Sequence, residues 1–306
     1  MIIRNPGSKS RTARKLLQLA PSDGIAEYRE PFTASGAVFY KIPHGRYPHR
    51  WLNDINPFFY MAHKLHRDDH DRQFRDALLR IRERTTDNPE LTQRYFRFLA
   101  DRLKQFEYPK HVPQYVWLTR HAYGQMVSAT RKNGASIDPR YNGNVGNSKD
   151  GMRPLADPRL DWCYDYLQGT KITNLDFEQV INAPADHGDV LLYLDPPYYI
   201  PSATVHHGAP IYAHPFAFAD HDRLHDALRA TQHRWMLSYN VCKYTIRTYV
   251  IGMRDYQSPH MRRKGVNVAV VPMIYTGKTY NNGIGKTHKG KRKAQRLEEL
   301  LVWNFD

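Results

Sequence analysis

Cysteine is nearly absent: Cys163 and Cys242 are the only two in 306 residues, and neither belongs to a CxxC pair. The expectation is two reduced thiols in a cytoplasmic protein rather than a disulfide framework. Long apolar runs are missing too. None approaches the ~18 residues of a spanning helix, and the longest, Val268 to Tyr275, is broken by Pro272. No membrane partner is therefore expected. Met1 to Pro6 lacks the apolar stretch of a signal peptide. There is no GxSxG elbow for a serine hydrolase and no GxxxxGK[ST] phosphate loop. Internal repeats and long low-complexity stretches are also lacking. Sixteen histidines are present, but His221 with His225, and the group His63, His66 and His70, have no HExxH glutamate and no cysteine pair beside them. They read as surface histidines on helices, and no metal is expected.

Acid is scarce relative to base. Asp plus Glu is 30 against 45 Lys plus Arg, a net charge of +15. Such a surplus concentrates polyanions at the surface, and nucleic acid is the natural candidate. Apolar residues make up 41%, which is ample for a core and excludes wholesale disorder. At roughly 150 residues per domain, the length fits one large domain or a core carrying an insertion.

Three stretches differ in character. To about Asn56 the chain is turn-rich, with extended segments at Ala26 to Phe32 and Arg50 to Asn53. Helical spacing then takes over: Phe74, Ala77, Leu78 and Ile81 share one face. A second helix is expected after Asp87, which would cap it, with Pro89 early and Glu90 completing a capping box. Val112 to Asn147, rich in Arg, Tyr, Asn and Gly, lacks periodicity and reads as a binding loop. From about Asp161 the pattern alternates. Strands are expected at Val190 to Leu194, Trp235 to Ser238, Val266 to Tyr275 and Leu297 to Phe305, with a helix from Asp220. This is an α/β sheet with a helical insertion. Between the last two strands, Lys286 to Arg296 carries six Lys or Arg and no acid. It is either a solvated connection or a phosphate-contacting loop.

The sharpest signal is Asp195-Pro196-Pro197-Tyr198, directly after the apolar run. One specified tetrapeptide occurs by chance in about one chain in 500 of this size. In open α/β sheets, ligands lie beyond the carboxyl ends of strands. Two prolines there fix the backbone and leave carbonyls without neighbouring amide hydrogens. A carboxylate, a free carbonyl and an aromatic ring then suit an amino group on a flat heterocycle. A rigid strand-to-loop turn would use Pro-Pro equally well.

With these residues in view, the chain resembles the Dam-like, D12-class DNA N6-adenine methyltransferases, in which DPPY follows the cofactor motif. Asn5-Pro6-Gly7-Ser8-Lys9 is similar to the family's N-terminal glycine-lysine motif, and Glu30-Pro31-Phe32-Thr33-Ala34-Ser35-Gly36 to its methyl-donor loop. Asn53-Asp54-Ile55-Asn56 resembles the acidic motif ending the second strand. Leu237-Ser238-Tyr239-Asn240 and Glu298-Glu299-Leu300-Leu301 resemble later strand motifs. The resemblance runs from Asn5 to about Phe305.

It implies a class I S-adenosylmethionine-dependent methyltransferase core, a Rossmann-like α/β sheet formed by residues 1–56 and 160–306. A target-recognition insertion would occupy 57–159. S-adenosyl-L-methionine would be the donor, held by Asn5, Lys9, Glu30, Phe32, Gly36, Asp54 and Asp195. Asp195, Pro196, Pro197 and Tyr198 would receive an adenine flipped out of double-stranded DNA. Lys9 alone would read as a solvated lysine, and the motif gives it a place near the methyl donor or the DNA. Gly36 would let backbone approach the cofactor ahead of a helix starting near Ala37. Asp54 lies 18 residues after Gly36, near the spacing at which an acid meets ribose hydroxyls. Arg120, Arg131 and Lys132, with Lys289, Lys291 and Arg292 from the basic stretch, are the candidate DNA contacts.

Two departures stand out. Ala34 replaces the first glycine of the family's GxG, which a methyl group tolerates only at negative φ, and Asn5 replaces an aromatic. Cytosine N4 or RNA as acceptor, and a non-catalytic nucleic-acid binder on the same fold, remain open at this stage.

Overall fold

The computed structural model describes residues 2–5, 7–85, 88–122, 159–199, 216–274 and 296–306. Seven strands form one sheet among them: β1 (Glu27–Glu30), β2 (His49–Asn53), β3 (Thr170–Thr173), β4 (Val190–Leu194), β5 (Arg234–Asn240), β6 (Asn267–Ile274) and β7 (Arg296–Trp303). Their spatial order is β3-β2-β1-β4-β5-β7-β6. The first five are mutually parallel, whereas β7 runs antiparallel to both β5 and β6. This mixed α/β sheet is consistent with the class I methyltransferase fold. Strand β3 was not among the expected strands: Thr170 to Thr173 holds a single strongly apolar residue, Ile172, and so carries little strand signal.

Strand β4 is buried at all five positions, as its unbroken apolar run requires. Alternation sends Leu191 and Tyr193 into one core layer and Val190, Leu192 and Leu194 into the other. The first layer is closed by α1 (Ala13–Leu19) and by α6 (Arg159–Leu167), through residues such as Leu16 and Tyr166. The second is closed by α7 (Phe177–Ile181) and α8 (Phe218–Ala230), through Ile181, Leu224 and Leu228. Beyond β5 a short α9 (Lys243–Ile246) runs into a π turn (Arg247–Ile251) that buries Tyr249.

Helices α2 (Pro57–Arg67), α3 (Gln73–Thr85), α4 (Pro89–Asp101) and α5 (Val112–His121) gather a separate cluster around Phe74, Leu78, Phe96, Val116 and Trp117. Three expectations are corrected here. Asp87 lies outside the described residues, and the cap of α4 is Asn88, whose side chain accepts from the Leu91 amide at 2.9 Å. Pro89 stands first in the helix and fixes the cap one residue later than expected, so Glu90 completes no capping box. Val112–His121 is a helix, not a binding loop. It is buried on nearly every side, including Val112, Tyr115, Val116, Trp117 and Leu118, so it shows no amphipathic stripe. Residues 123–158 lie outside the described set. Finally, His63, His66 and His221 are interior rather than surface residues. Among the described residues no group of three or more His, Cys, Asp or Glu is placed to hold a metal. No helix among them is long and apolar enough to cross a membrane.

Candidate active site

The strand order reverses between β1 and β4, with β2 and β3 on one side and β5 on the other. At such a switch point the loops leaving the two central strands part and open a crevice. A cavity of about 280 Å³ lies there, lined by the 30–38 loop after β1, the 54–56 segment after β2, the 175–177 segment after β3 and Asp195 to Tyr198 after β4. Asn5 and Lys9 from the N-terminal segment complete its wall.

Asn53 fixes the loops relative to one another. Its Nδ2 donates to the carbonyls of Pro31 and Leu175, each at 3.0 Å, while its Oδ1 accepts from the Leu175 amide at 2.8 Å and from Thr173 Oγ1 at 2.7 Å. One buried amide thus ties the ends of three strands. Asp54 accepts from the Ala34 amide at 2.6 Å and the Asn56 amide at 2.8 Å. Asn56 caps α2 by accepting from the Phe58 amide and donates to the Tyr115 hydroxyl of α5.

Ala34 sits at φ +44°, contrary to the negative φ expected for a residue bearing a methyl group. Its amide bond to Asp54 and the 2.9 Å contact of its carbonyl with His63 Nε2 hold it there. A left-handed alanine costs about 1–2 kcal/mol, which these contacts offset. Gly36, at φ +67°, is itself outside the cavity wall. A Cβ on it would come within 3.0 Å of the Tyr40 ring and 3.4 Å of the His63 ring. The glycine therefore serves turn geometry and close side-chain approach. The helix expected from near Ala37 is one 3-10 turn, Phe39–Lys41.

The cavity is rich in carboxylates. Glu30, buried, accepts from the Tyr28 hydroxyl at 2.8 Å. Burial pushes its pKa up to about 8, with Tyr28 pulling it down and Asp195 adding to the rise. Burial likewise raises Asp54 to about 6 against the two amides. Asp195 is raised to about 6, first by burial; Lys9 opposes the shift and Glu299 adds to it. Its side chain keeps 22% of its surface open, so it is the most accessible of the three.

Lys9, 2% exposed, extends its Nζ to Asp195 Oδ1 at 2.5 Å, Glu299 Oε1 at 2.9 Å and the Tyr198 hydroxyl at 2.8 Å. The Tyr198 hydroxyl in turn donates to Glu299 Oε1 at 2.8 Å. Tyr198 stacks on Tyr239 with ring centres 5.9 Å apart, and the Tyr239 hydroxyl donates to the Pro197 carbonyl at 3.2 Å. Behind Tyr239, buried His221 makes a short hydrogen bond to its hydroxyl. The DPPY turn is therefore held from beneath at Pro197 and Tyr198, and Asp195 Oδ1 is held by Lys9. Also lining the cavity, Phe32, Phe177 and Phe216 pack ring against ring, with centres 5.4 to 5.8 Å apart.

The structure thus brings Asn5, Lys9, Glu30, Phe32, Asp54 and Asp195 to Tyr198 around one cavity. Arg120 is elsewhere: it is buried, and its Nε donates to the Ile2 carbonyl at 2.8 Å. That placement ties α5 to the N-terminal segment and withholds the side chain from a phosphate. Arg131, Lys132, Lys289, Lys291 and Arg292 lie outside the described residues. Sequence reasoning missed Asp176 and Phe177, which line the cavity, and Glu299. The last belongs to a doublet whose partner, Glu298, faces solvent; only strand alternation within β7 separates the two.

No curated protein matches the chain. Residues 6–257 match the D12 class of N6 adenine-specific DNA methyltransferases, a span that begins beside Asn5, passes the switch-point loops and includes the DPPY turn. The chain belongs to that family: it is an N6 adenine-specific DNA methyltransferase.

Proposed function

We propose that the methyl donor is S-adenosyl-L-methionine and that Asp195 to Tyr198 receive an adenine flipped out of double-stranded DNA. The observation that carries the choice of donor is the buried charge of the cavity. Glu30 and Asp54 have no cationic partner among the described residues, and Asp195 shares its one cation, Lys9, with Glu299. Buried carboxylates without counter-ions are costly. A ligand bearing both a sulfonium and an ammonium group supplies the missing positive charge, and the Phe32, Phe177 and Phe216 wall suits its purine ring. Asn5 and Lys9 complete this reading of the donor site from the wall, and Gly36 serves it from outside the wall by letting the loop after β1 turn.

When bound, this donor supplies an electrophilic methyl group. The residues of the chain supply positioning and electrostatics. The lone pair of adenine N6 is delocalised into the ring, and acceptors for its hydrogens localise it. Asp195 Oδ2 and the Pro196 carbonyl take that part. As the methyl group moves to N6 and the sulfur–methyl electron pair stays on sulfur, Asp195 would take the N6 proton that is lost and pass it to solvent. Tyr198 offers its ring to the base, offsetting part of the few kcal/mol that unstacking costs.

Residues 1–56 and 160–306 form the catalytic core in this proposal, and 57–159 the target-recognition insertion. Arg131 and Lys132 in the insertion, with Lys289, Lys291 and Arg292, contact phosphates. Binding to DNA is expected to weaken steeply with salt.

Calorimetric titration across pH tests the donor assignment. A cation entering among carboxylates with pKa values of about 6 and about 8 binds better as they ionise. Affinity for S-adenosylmethionine should rise between pH 6 and 8, and rise more than for the demethylated product, which lacks the sulfonium. Equal pH dependence for the two would contradict the reading.

A further inference from the structure

We propose that Glu299, together with Lys9, is a positioning residue of the methyl-transfer site: it divides the charge of Lys9 so that Asp195 stays a strong acceptor, and it fixes the hydroxyl of Tyr198. The proposal rests on the assignment of Asp195 as the acceptor of the N6 hydrogens.

Three observations carry it. First, the ammonium of Lys9 is surrounded. Its contacts reach Asp195 Oδ1, Glu299 Oε1 and the Tyr198 hydroxyl within 2.9 Å. A lysine paired with Asp195 alone would cancel most of that carboxylate's charge and compete with the adenine amino group for it. With Glu299 on the same nitrogen, two carboxyl groups share one ammonium. The charge of Lys9 is then not spent on Asp195 alone, and Asp195 keeps its acceptor strength toward the nitrogen receiving a methyl group, where positive charge develops.

Second, Glu299 Oε1 takes both the Lys9 contact and the Tyr198 hydroxyl. The Tyr198 side chain therefore cannot swing away from the DPPY turn without breaking a bond to a buried carboxylate. Third, Glu299 is 2% exposed and its Oε2 has no hydrogen-bond partner among the described residues. A buried acceptor left unsatisfied is a cost that a purely structural position would shed. An apolar residue, like the neighbouring Leu300 and Leu301, would leave no unsatisfied acceptor there. Glu299 is placed by charge rather than by packing.

The other polar groups facing this cluster come from the adjoining strands. Tyr193 on β4 donates to Ser238 on β5 at 3.1 Å, and both are buried. Asn240 on β5 stands opposite Glu299 in the strand register. Glu30 on β1 lies near enough to Asp195 for each charge to disfavour the other. Among the described residues, Lys9 is thus the cation that the cluster shares.

The test is the pH profile of kcat for Glu299→Gln, measured by transfer of labelled methyl groups to genomic DNA lacking N6-methyladenine. Asp195 must be ionised to accept, so its protonation sets the acid limb. Removing the Glu299 charge weakens Asp195 as a base. The plateau should fall roughly ten- to hundredfold, and the acid limb should move to lower pH. Donor KM should change less than about threefold, because half of one log unit lies within ordinary surface effects. A merely structural role would lower the plateau and leave the limb in place, and that result would overturn the proposal; so would an unchanged plateau. Glu299→Asp keeps the charge and should keep the limb. It answers the question even where the Gln variant does not fold, because a limb displaced downward in the Asp variant contradicts the charge argument. Asp195→Asn is the control for the underlying assignment. Loss of transfer at every pH is expected there, and retained transfer would reject the acceptor role of Asp195 itself, a failure distinct from that of Glu299.

Discussion

The switch-point end of the sheet and the helical cluster of α2 to α5 are built on opposite principles. At the switch point, side chains that would rather be in water are held inside: Glu30, Asp54, Lys9 and Glu299 are all buried, and Ala34 is held at positive φ. In the helical cluster the interior is mainly aromatic and aliphatic, with a few buried polar side chains such as His66 and Arg120. Trp117, fully buried, packs edge-on to Tyr95 at 5.0 Å and stacks on His121 at 4.0 Å, while most of the arginines of α3 and α4 stay at the surface. The difference teaches where this protein holds its unfavourable interactions. They gather most densely at the switch point, with a few elsewhere, such as the buried Arg29–Glu27 pair and Arg72 at φ +60°, and apolar packing offsets them.

Substitutions in the two regions should therefore act with opposite sign. Trp117→Ala removes the largest side chain of the helical cluster and the 3.3 Å bond from its Nε1 to Thr85 Oγ1. A loss of about 3–5 kcal/mol is expected in denaturant unfolding. A loss under 1 kcal/mol would show that the cluster is not a packed core.

Glu30→Gln should do the reverse. Because burial raises the folded pKa of Glu30 to about 8, the folded state holds a proton that the unfolded chain has released. Stability is greatest below the ordinary carboxylate range and is lost as pH rises toward 8. At lower pH the buried histidines His63 and His221, with pKa values lowered to about 4 by burial, act the other way, adding stability as the unfolded chain releases its protons. Above that range the melting temperature of the ligand-free protein should accordingly fall from pH 7 to pH 8. The Gln variant should show a shallower fall and be the more stable protein at pH 8, while binding S-adenosylmethionine at least tenfold more weakly, the equivalent of about 1.4 kcal/mol. Parallel melting curves for the two proteins would contradict the buried charge.

Smaller effects sharpen the contrast. Asn88→Ala removes the cap of α4 and should cost about 1 kcal/mol, with no change in donor affinity. Ala34→Gly relieves a left-handed alanine and should stabilise by up to about 1 kcal/mol, part of the gain being lost to the greater entropy of glycine when unfolded. A destabilised Gly variant would mean that the methyl group packs usefully at the cavity wall.

The same contrast explains what was legible in the sequence. The DPPY turn could be read because two independent signals coincide there, an apolar run of strand length and a rare tetrapeptide at its carboxyl end. The Asn53 to Asn56 segment was legible as a motif, but not the four hydrogen bonds of Asn53, since these depend on where Pro31, Thr173 and Leu175 arrive. Helix α5 was hidden by its own burial, which erases the period that betrays a surface helix. Pro89 did mark the start of α4, and with Pro at the first helical position the cap falls on Asn88 rather than Asp87. Glu299 lies 290 positions from Lys9 in the chain, and nothing local to a Glu-Glu doublet announces an ion pair across that distance.

The central claim is that Asp195, at the mouth of the DPPY turn, directs methyl transfer to adenine N6. The most direct measurement is mass spectrometry of nucleosides from the DNA of a host lacking adenine methylation, expressing either the wild-type protein or Asp195→Ala. N6-methyladenine with the wild type, and at least a hundredfold less with the variant at equal soluble protein, is the predicted result. Equal N6-methyladenine from both proteins, or methylated cytosine in its place, would contradict it.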